Sequence, residues 1–343
     1  MPRESPEVSI IIPTHNRSQS LLQTLKSIGQ LEYPQDELEV IVVDDGSADD
    51  TPDVLGKFSQ RAPFPFRYVK QTNGGVSSAR NIGIKMARGE VLAFTDDDCI
   101  VSSQWLKNLT GYLNSEDIGV VGGPENIPET GSLLSRCAGY IVNSFIGAAG
   151  LFKGEGVRLG RFYPKGCNMA LPKRVLFQVG LFDEKLMPGE DVELAYRIRK
   201  AGYKIKYAPY APVVHQRKIS FKTFLSKIFR VGYFRAILGL KNAGFLQVVH
   251  MVPVACLITF LVLAAGWLFL SWHPLVFILP VAAYILTIMV SGVHAALRLK
   301  DVRALFFIPF LLPLHHLCHA LGFLTGIIRY MFGMLRRGKQ ALN

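Results

Sequence analysis

The segment Val8-Ser-Ile-Ile-Ile-Pro13 is a short apolar run rich in β-branched residues, and Glu39-Val-Ile-Val-Val-Asp44 is a second one. Such runs are typical of buried parallel strands, because both faces of a parallel sheet are covered. Between the two runs, apolar residues recur at helical spacing over residues 21–28. The three pieces together predict a β-α-β unit.

The same alternation continues along the chain. Residues 66–69 predict a third strand, residues 77–87 a helix, and residues 91–94 a fourth strand that ends at Asp96. We therefore predict an α/β layer structure whose ligands gather at the carboxyl ends of its strands. Later pieces of regular structure are predicted at 118–123, 165–170, 191–201, 204–207 and 212–215.

Acidic side chains follow the predicted strands. In Asp96-Asp-Asp98, two carboxylates separated by one residue can share a hard divalent cation, which can then bind a diphosphate. An isolated Asp-x-Asp is more often a solvated turn, but the position after a buried strand favours a metal site. Asp45 follows the second strand, where an unpaired carboxylate can accept hydrogen bonds from a base or a ribose. The alternative for Asp45 is a turn-and-cap role.

Two further candidates lie outside these strand ends. Glu190 and Asp191 follow a Pro-Gly turn at the start of a predicted helix. A carboxylate is stabilised there, which suits a general base, and capping is the alternative. His215 ends the last extended piece and could complete a metal site with Asp98, although a lone His is more often structural.

Charge is distributed unevenly along the 343 residues. Residues 1–193 contain 19 Lys and Arg against 25 Asp and Glu, whereas residues 194–343 contain 19 Lys and Arg against one acid, Asp301. A basic region of this kind faces anionic lipid or nucleic acid. The long apolar runs within it favour lipid, so we expect no nucleic-acid partner.

The cysteine pattern and the N-terminus bear on the compartment. The five cysteines form no Cys-x-x-Cys pair, which favours a reduced compartment with neither disulfides nor a zinc site. The first eight residues lack the apolar region of a secretory signal peptide. Both observations favour a cytoplasmic catalytic part.

Two long segments predict membrane-spanning helices. Residues 248–270 and 274–297 carry no charged side chain, and each reaches the roughly 20 apolar residues that a span needs. Basic residues precede the first span and follow the second, for example Arg298 and Lys300. This charge bias predicts a multi-pass protein of the inner (plasma) membrane with its catalytic domain in the cytoplasm.

A third apolar segment, residues 304–328, contains Pro309 and Pro313. A complete span there would put Arg336 and Arg337 outside, against the charge rule. A broken or re-entrant segment removes that conflict and is slightly favoured over a span.

Residues 221–247 mix Phe, Leu and Ile with Lys and Arg. This composition predicts an amphipathic helix at the membrane interface, and a solvated helix packed on the domain is the alternative. The predicted organisation is a catalytic domain over residues 1–220, the interfacial helix over 221–247 and a transmembrane region over 248–335.

Taken in order, these motifs resemble glycosyltransferase family 2, an inverting family with the GT-A fold. The resemblance spreads over about 215 residues and is carried by segments 8–17, 40–51, 73–83, 93–99, 180–184, 189–202 and by His215. It implies a Rossmann-like, mostly parallel α/β sheet followed by the interfacial helix and the C-terminal transmembrane helices.

The resemblance also implies a role for each matching position. A nucleotide-sugar donor would be held by Pro13, Thr14, Asn16, Asp45, Arg80, Asp96 and Asp97. A divalent metal, Mg²⁺ or Mn²⁺, would be bound by Asp98, His215 and Asp96. Asp191 would be the catalytic base, with Glu190 beside it.

The implied reaction is inverting transfer from a nucleotide-sugar, UDP being favoured by the resemblance, to a lipid-linked saccharide or glycolipid. Processive members of the family carry Gln-x-x-Arg-Trp after the base, whereas Gln216-Arg-Lys218 stands here, so transfer of a single sugar is expected. Polysaccharide-assembly proteins and membrane lipids are the further partners that this implies. The alternatives are a polyprenyl-phosphate sugar synthase and, less favoured, a non-enzymatic calcium-binding membrane protein.

Overall fold

The computed structural model describes residues 7–128, 131–148, 162–186, 188–216 and 219–340. The chain divides into two compact units. Of the described residues, the first unit holds 7–128, 162–186 and 188–216, and the second holds 131–148 and 219–340.

The first unit alternates strands and helices along its first hundred residues. Its strands are β1 Val8–Thr14, β2 Leu38–Asp44, β3 Phe66–Lys70, β4 Val91–Thr95, β5 Cys99–Val101, β6 Ile118–Gly122, β7 Glu125–Asn126, β8 Asn168–Pro172, β9 Lys204–Tyr207 and β10 Val213–His215. Its helices are α1 Ser18–Ile28, α2 Thr51–Ser59, α3 Val76–Met86, α4 Trp105–Thr110, α7 Lys173–Val179 and α8 Glu190–Lys200.

A seven-stranded sheet forms the centre of this unit, in the order β3-β2-β1-β4-β8-β6-β9. The pairs among β3, β2, β1 and β4 are all parallel, whereas β8 is antiparallel to both of its neighbours. Every residue of β1 and β2 is buried, because helices cover both faces of a parallel sheet. The predicted mostly parallel α/β sheet is thereby confirmed.

A smaller sheet, in the order β5-β10-β7, lies beside the first. The antiparallel pairing of β10 with β5 sets His215 opposite Cys99. Neither β5 nor β7 is predicted from the sequence, since each is only two or three residues long and has no periodicity to detect. This sheet positions His215.

The second unit is entirely helical among its described residues. Its α-helices are α5 Leu133–Asn143, α6 Phe145–Ala148, α9 Phe221–Lys241, α10 Val248–Phe269, α11 Pro274–Leu299 and α12 Ala304–Gln340, and a 3-10 helix covers Ala243–Phe245. Three segments are long and apolar enough to cross a membrane: Val248–Phe269, Pro274–Leu299 and Ala304–Phe332. Their large apolar side chains are mostly exposed, as a lipid-facing surface requires.

Helix α9, which covers most of the predicted interfacial segment, packs lengthwise on α12. Phe221 stacks on Phe310, and further along both helices Gly322 meets the backbone of Phe229, so the two helices run parallel. A side chain at Gly322 would overlap the Phe229 carbonyl oxygen, and small residues of this kind let helices approach closely in membranes. The helix is confirmed, and its location at a membrane interface stays a prediction.

Helix α12 is continuous from Ala304 to Gln340, through both Pro309 and Pro313. The helix is thus unbroken at both prolines, whereas a broken helix was one of the two forms expected for a segment that does not span. Pro309 cannot donate to the Leu305 carbonyl, and that carbonyl lies close to Gly292 of α11, where the two helices pack tightly. Whether the segment spans the membrane or is re-entrant stays a prediction.

The second unit includes a segment that the sequence assigned to the catalytic domain. Helices α5 and α6 lie within the predicted 1–220 domain but group with α9–α12. Arg136 of α5 pairs with Asp301 at 2.9 Å, and Arg303 pairs with the same carboxylate oxygen at 2.8 Å. The predicted boundary at residue 220 misses this exchange because α5 carries no long apolar run. The other predicted boundaries stay predictions.

Candidate active site

The ends of three neighbouring parallel strands bring polar loops together. Strands β2, β1 and β4 are adjacent, and the register sets Thr14 beside Asp44 at the ends of β1 and β2. Asp96 follows the end of β4 directly. Because parallel strands end at the same edge of a sheet, the three loops share one edge.

Asp45 is held by the loop that precedes α3. Its carboxylate accepts hydrogen bonds from Gln71 Nε2 at 2.6 Å and from the backbone N–H groups of Gly74 and Gly75 at 2.7 and 2.8 Å. The expectation of an unpaired carboxylate is therefore wrong. A carboxylate has about four acceptor positions, so one remains for a further donor.

The loop after β1 is tied to the loop after β2. Asn16 adopts a left-handed conformation, with φ of 53°, which asparagine tolerates better than most residues. Its backbone N–H donates to Ser47 Oγ at 2.8 Å, and its Oδ1 accepts from the N–H of Ala48 at 2.7 Å. Pro13 is buried in β1 beside Val43. Both residues therefore shape this edge.

Asp97 points into the first unit. It accepts hydrogen bonds from Thr14 Oγ1 at 2.8 Å and from Arg17 Nη1 at 3.0 Å. Burial raises the pKa of Asp97 to about 6, with a further contribution from Asp98 and with Arg17 opposing. Arg17 also reaches Asp98 Oδ2 at 2.6 Å. Arg17 was not predicted as a site residue, although it is a cation directly after the β1 loop.

Arg80 connects the Asp96–Asp98 triplet to α8. Its guanidinium donates to Asp96 Oδ1 and to Glu190 Oε1, each at 2.9 Å, and the residue is 2% exposed. Burial opposes its charge, but the two carboxylates prevail and raise the pKa of Arg80. Gly166 makes this possible, because a Cβ there would lie 2.7 Å from Arg80 Nη1.

Glu190 and Asp191 occupy different environments at the start of α8. Glu190 is buried and ion-paired with Arg80; burial and the neighbouring Asp191 raise the pKa of Glu190. Asp191 is half-buried, and its Oδ2 accepts from the backbone N–H of Gly166 at 3.2 Å. Asp191 is therefore the more accessible of the two carboxylates.

His215 is held between two carboxylates and is itself buried. Its Nε2 lies 2.6 Å from Asp98 Oδ1 and its Nδ1 lies 3.1 Å from Glu125 Oε1. Lys165 pairs with the other oxygen of Glu125 at 2.5 Å. Neither Glu125 nor Lys165 was predicted as a site residue, because Glu125 lies in a strand of two residues and Lys165 begins a predicted strand without belonging to a recognisable motif.

One group of potential ligand atoms fits a hard divalent cation. Asp96, Asp98 and His215 each offer an atom, and these atoms lie within 4.8 Å of one another. Two carboxylates and an imidazole suit Mn²⁺ or Mg²⁺. The residues present therefore fit the metal that the sequence predicts, and their individual roles stay predictions.

A continuous series of contacts links the predicted residues. The Asp45 N–H donates to the Thr14 carbonyl at 2.8 Å, and Thr14 bonds Asp97. Asp96 adjoins Asp97 along the chain and pairs with Arg80, which also pairs with Glu190. The strand-end acids and the start of α8 thus belong to one polar network.

Comparison with known proteins identifies the family. A family model described as "Glycosyl transferase family group 2" matches residues 91–315, and one described as "Glycosyl transferase family 2" matches residues 9–163. The chain belongs to glycosyltransferase family 2.

Two curated relatives show the extent of the similarity. "Probable glycosyltransferase YdaM" of Bacillus subtilis is 32% identical over 227 residues, which are 65% of this chain and 53% of that protein. "Glycosyltransferase AglE" of Haloferax volcanii is 31% identical over 229 residues, which are 66% of this chain and 72% of that protein. The match thus spans about half of the first relative and most of the second.

A solved structure supports the fold. It is described as "Mannosyltransferase PcManGT from Pyrobaculum calidifontis in complex with GDP-Man and Mn2+". At 20% identity the TM-score is 0.65, and the superposition covers 94% of this chain and 88% of that one. The GT-A fold predicted from the sequence is confirmed.

Proposed function

We propose that this family 2 glycosyltransferase transfers a single sugar, with inversion, from a nucleotide-sugar to a hydroxyl of a lipid-linked saccharide or glycolipid. The proposal rests on one observation: the network that joins Asp45, the Asp96–Asp98 triplet and the start of α8. A donor needs groups for its nucleoside and its diphosphate, and the acceptor hydroxyl needs a base. The network contains candidate residues of the first unit for nucleoside binding, for diphosphate binding and for the base.

The donor nucleoside is assigned to the loops after β1 and β2. Thr14 and Asn16 join these loops, and Asp45 keeps an acceptor position beyond its three hydrogen bonds. A base N–H or a ribose hydroxyl can donate to that position. Pro13 shapes the edge, and Asp97 holds Thr14 and Arg17 in place.

Asp96, Asp98 and His215 are assigned to a divalent cation, Mn²⁺ or Mg²⁺. When bound, such a cation neutralises the charge that develops on the departing nucleoside diphosphate. Asp98 contacts His215 directly, and Glu125 orients the ring from its other nitrogen. Arg80 forms an ion pair with Asp96. The carboxylates of Asp96 and Asp98 are therefore held by different partners.

Asp191 is assigned as the general base and Glu190 as its support. A base must be ionised and within reach of the acceptor hydroxyl. Asp191 is half-buried, whereas Glu190 is buried against Arg80. The N-terminus of α8 stabilises the Asp191 carboxylate, which then takes the proton of the attacking hydroxyl.

A membrane-bound acceptor follows from the second unit. Three of its helices are long and apolar enough to cross a membrane, and the basic residues that flank them favour a cytoplasmic catalytic domain. An enzyme tethered in this way meets acceptors that are themselves membrane-bound. We therefore place the activity in the assembly of cell-surface polysaccharide or glycolipid at the inner membrane.

The test uses the full-length protein purified in detergent. A panel of UDP- and GDP-sugars is supplied with Mn²⁺ or Mg²⁺, and release of nucleoside diphosphate is measured with a pyrophosphate-linked saccharide or with polyprenyl phosphate as acceptor. Turnover with a UDP-sugar and the saccharide is expected.

Any other outcome would contradict a part of the proposed function. Turnover with polyprenyl phosphate alone would identify a polyprenyl-phosphate sugar synthase, since a phosphate nucleophile needs no base. Metal binding with no release from any donor, and no effect of UDP or GDP on thermal stability, would favour a calcium-binding membrane protein.

A further inference from the structure

A second group of potential metal ligands lies beside the carboxylates and shares one residue with them. Cys99, Cys167 and His215 are all buried, and each offers a ligand atom within 4.8 Å of the others. The proposed transfer reaction uses neither cysteine. The sequence favours no zinc site, because the two cysteines lie far apart along the chain and only the fold brings them together.

The local structure brings these three side chains together from separate strands. Cys99 begins β5 and lies opposite His215 in β10. Cys167 directly precedes β8, and its Sγ lies within 4.8 Å of the potential ligand atoms of Cys99 and His215. The group is thus fixed by three strands of the first unit.

We propose that Cys99, Cys167 and His215 bind a soft divalent cation, and that this cation is Zn²⁺. Thiolate and imidazole ligands select zinc or cadmium, whereas carboxylates and water select magnesium or manganese. The two neighbouring groups therefore differ in the metals that they prefer. Glu125 Oε1 lies 3.1 Å from His215 Nδ1, and carboxylates commonly orient zinc-bound imidazoles from this side.

The charges of the two thiolates and of the zinc ion balance, which favours binding of zinc at this buried position. Binding forms two zinc–sulfur bonds and releases the two thiol protons to solvent. The two thiolates then offset the two positive charges of the cation, so the complex adds no net charge to the interior. Burial of an uncompensated charge would instead be costly.

Sharing of His215 makes the two sites mutually exclusive. A neutral imidazole offers one nitrogen lone pair as a ligand, because the other nitrogen carries a proton. When His215 and the two thiolates bind zinc, His215 is therefore unavailable as a ligand for a cation held by Asp96 and Asp98. Zinc is expected to inhibit the enzyme by this route.

The direct test is metal binding, which does not depend on sugar transfer. The reduced, metal-free, full-length protein in detergent is titrated with Cd²⁺, and the ultraviolet thiolate-to-cadmium band is followed. A band that saturates at one equivalent is expected. Cys167→Ser and Cys99→Ser should each weaken cadmium binding by at least about tenfold, whereas Cys137→Ser, at a buried cysteine of α5, should leave it unchanged.

Thermal unfolding of each variant shows whether it is folded. Two outcomes would overturn the inference: a band of equal strength in the two folded serine variants, or no band in the reduced wild-type protein. A protein that gives the band but transfers no sugar would retain this inference and lose the proposed function.

Inhibition is measured separately, with Zn²⁺ added to the transfer assay in the presence of excess Mg²⁺. The wild-type enzyme should lose activity, and Cys167→Ser should need at least about tenfold more Zn²⁺ for the same loss. Equal sensitivity of the wild-type and variant enzymes would show that zinc acts elsewhere, and would contradict the shared use of His215.

Discussion

The two halves of the large sheet contribute to the site in different ways. Strands β3, β2, β1 and β4 are all parallel, and their ends carry Thr14, Asp45 and the Asp96–Asp98 triplet. The other half contains the antiparallel strand β8 together with β6 and β9, against which α8 packs. That half supplies Glu190 and Asp191.

On the proposed assignment, the parallel half carries the residues for the donor and is called the donor half, and the other half carries those for the acceptor and is called the acceptor half. In the parallel half, each polar loop directly follows its own strand, so the residues assigned to the donor come from adjacent strand ends. In the other half, Asp191 reaches the edge only because α8 begins beside Gly166. Variants of the first half should therefore weaken donor binding, and variants of the second should lower turnover.

The largest effect is expected for Asp191→Asn. Loss of a general base should lower kcat by about 10²- to 10⁴-fold, while donor affinity should change little, because the residue belongs to the acceptor half. Transfer kinetics and a donor titration measure the two quantities. The control is Asp183→Asn at an exposed position of the same unit; near-normal turnover of Asp191→Asn would refute the base assignment.

Arg80→Met should be next, because Arg80 joins the two halves. Removal of a buried cation would leave Asp96 and Glu190 uncompensated, which typically costs about 3–5 kcal/mol. The thermal unfolding midpoint in detergent should fall by several degrees, with a smaller fall for Arg80→Lys. Arg61→Met, at an exposed arginine, serves as the control. An unchanged unfolding midpoint would mean that the ion pairs of Arg80 with Asp96 and Glu190 contribute nothing to stability.

Asp98→Ala should have a smaller effect, restricted to the donor half. Loss of one metal ligand should weaken metal-dependent donor binding by about 10- to 100-fold and leave metal-independent binding in place. Donor titrations with Mn²⁺ and with a chelator distinguish metal-dependent from metal-independent donor binding. If the variant and the wild-type protein respond equally to the chelator, Asp98 is not a ligand.

The smallest effect is expected for Asp45→Asn. The amide still accepts hydrogen bonds at one oxygen, but its NH₂ group faces a backbone N–H that now lacks an acceptor, which costs about 1–3 kcal/mol. Both stability and donor affinity should fall modestly, as thermal unfolding and donor titration would record. Asp53→Asn, in the neighbouring helix α2, is the matched control, and equal behaviour of the two variants would deny Asp45 a special role.

Much of the parallel half could be predicted from local pattern. Apolar runs identified β1, β2 and β4 to within about one residue at each end, and acids directly after β2 and β4 indicated the polar edge. The antiparallel pairing of β8 could not be predicted, because a short, buried and largely apolar run such as Asn168–Pro172 does not indicate the direction of the neighbouring strand. Helix α5 was likewise missed, since nothing in its sequence indicates which unit it joins.

By itself, the sequence determined the alternating α/β class, the apolar helices and the residue types available for chemistry, because periodicity and local composition specify these directly. Only the tertiary structure decided which polar groups meet: Arg80 between Asp96 and Glu190, and His215 between the carboxylates and the two cysteines. Such meetings depend on strand order and register, which distant parts of the chain set jointly through packing.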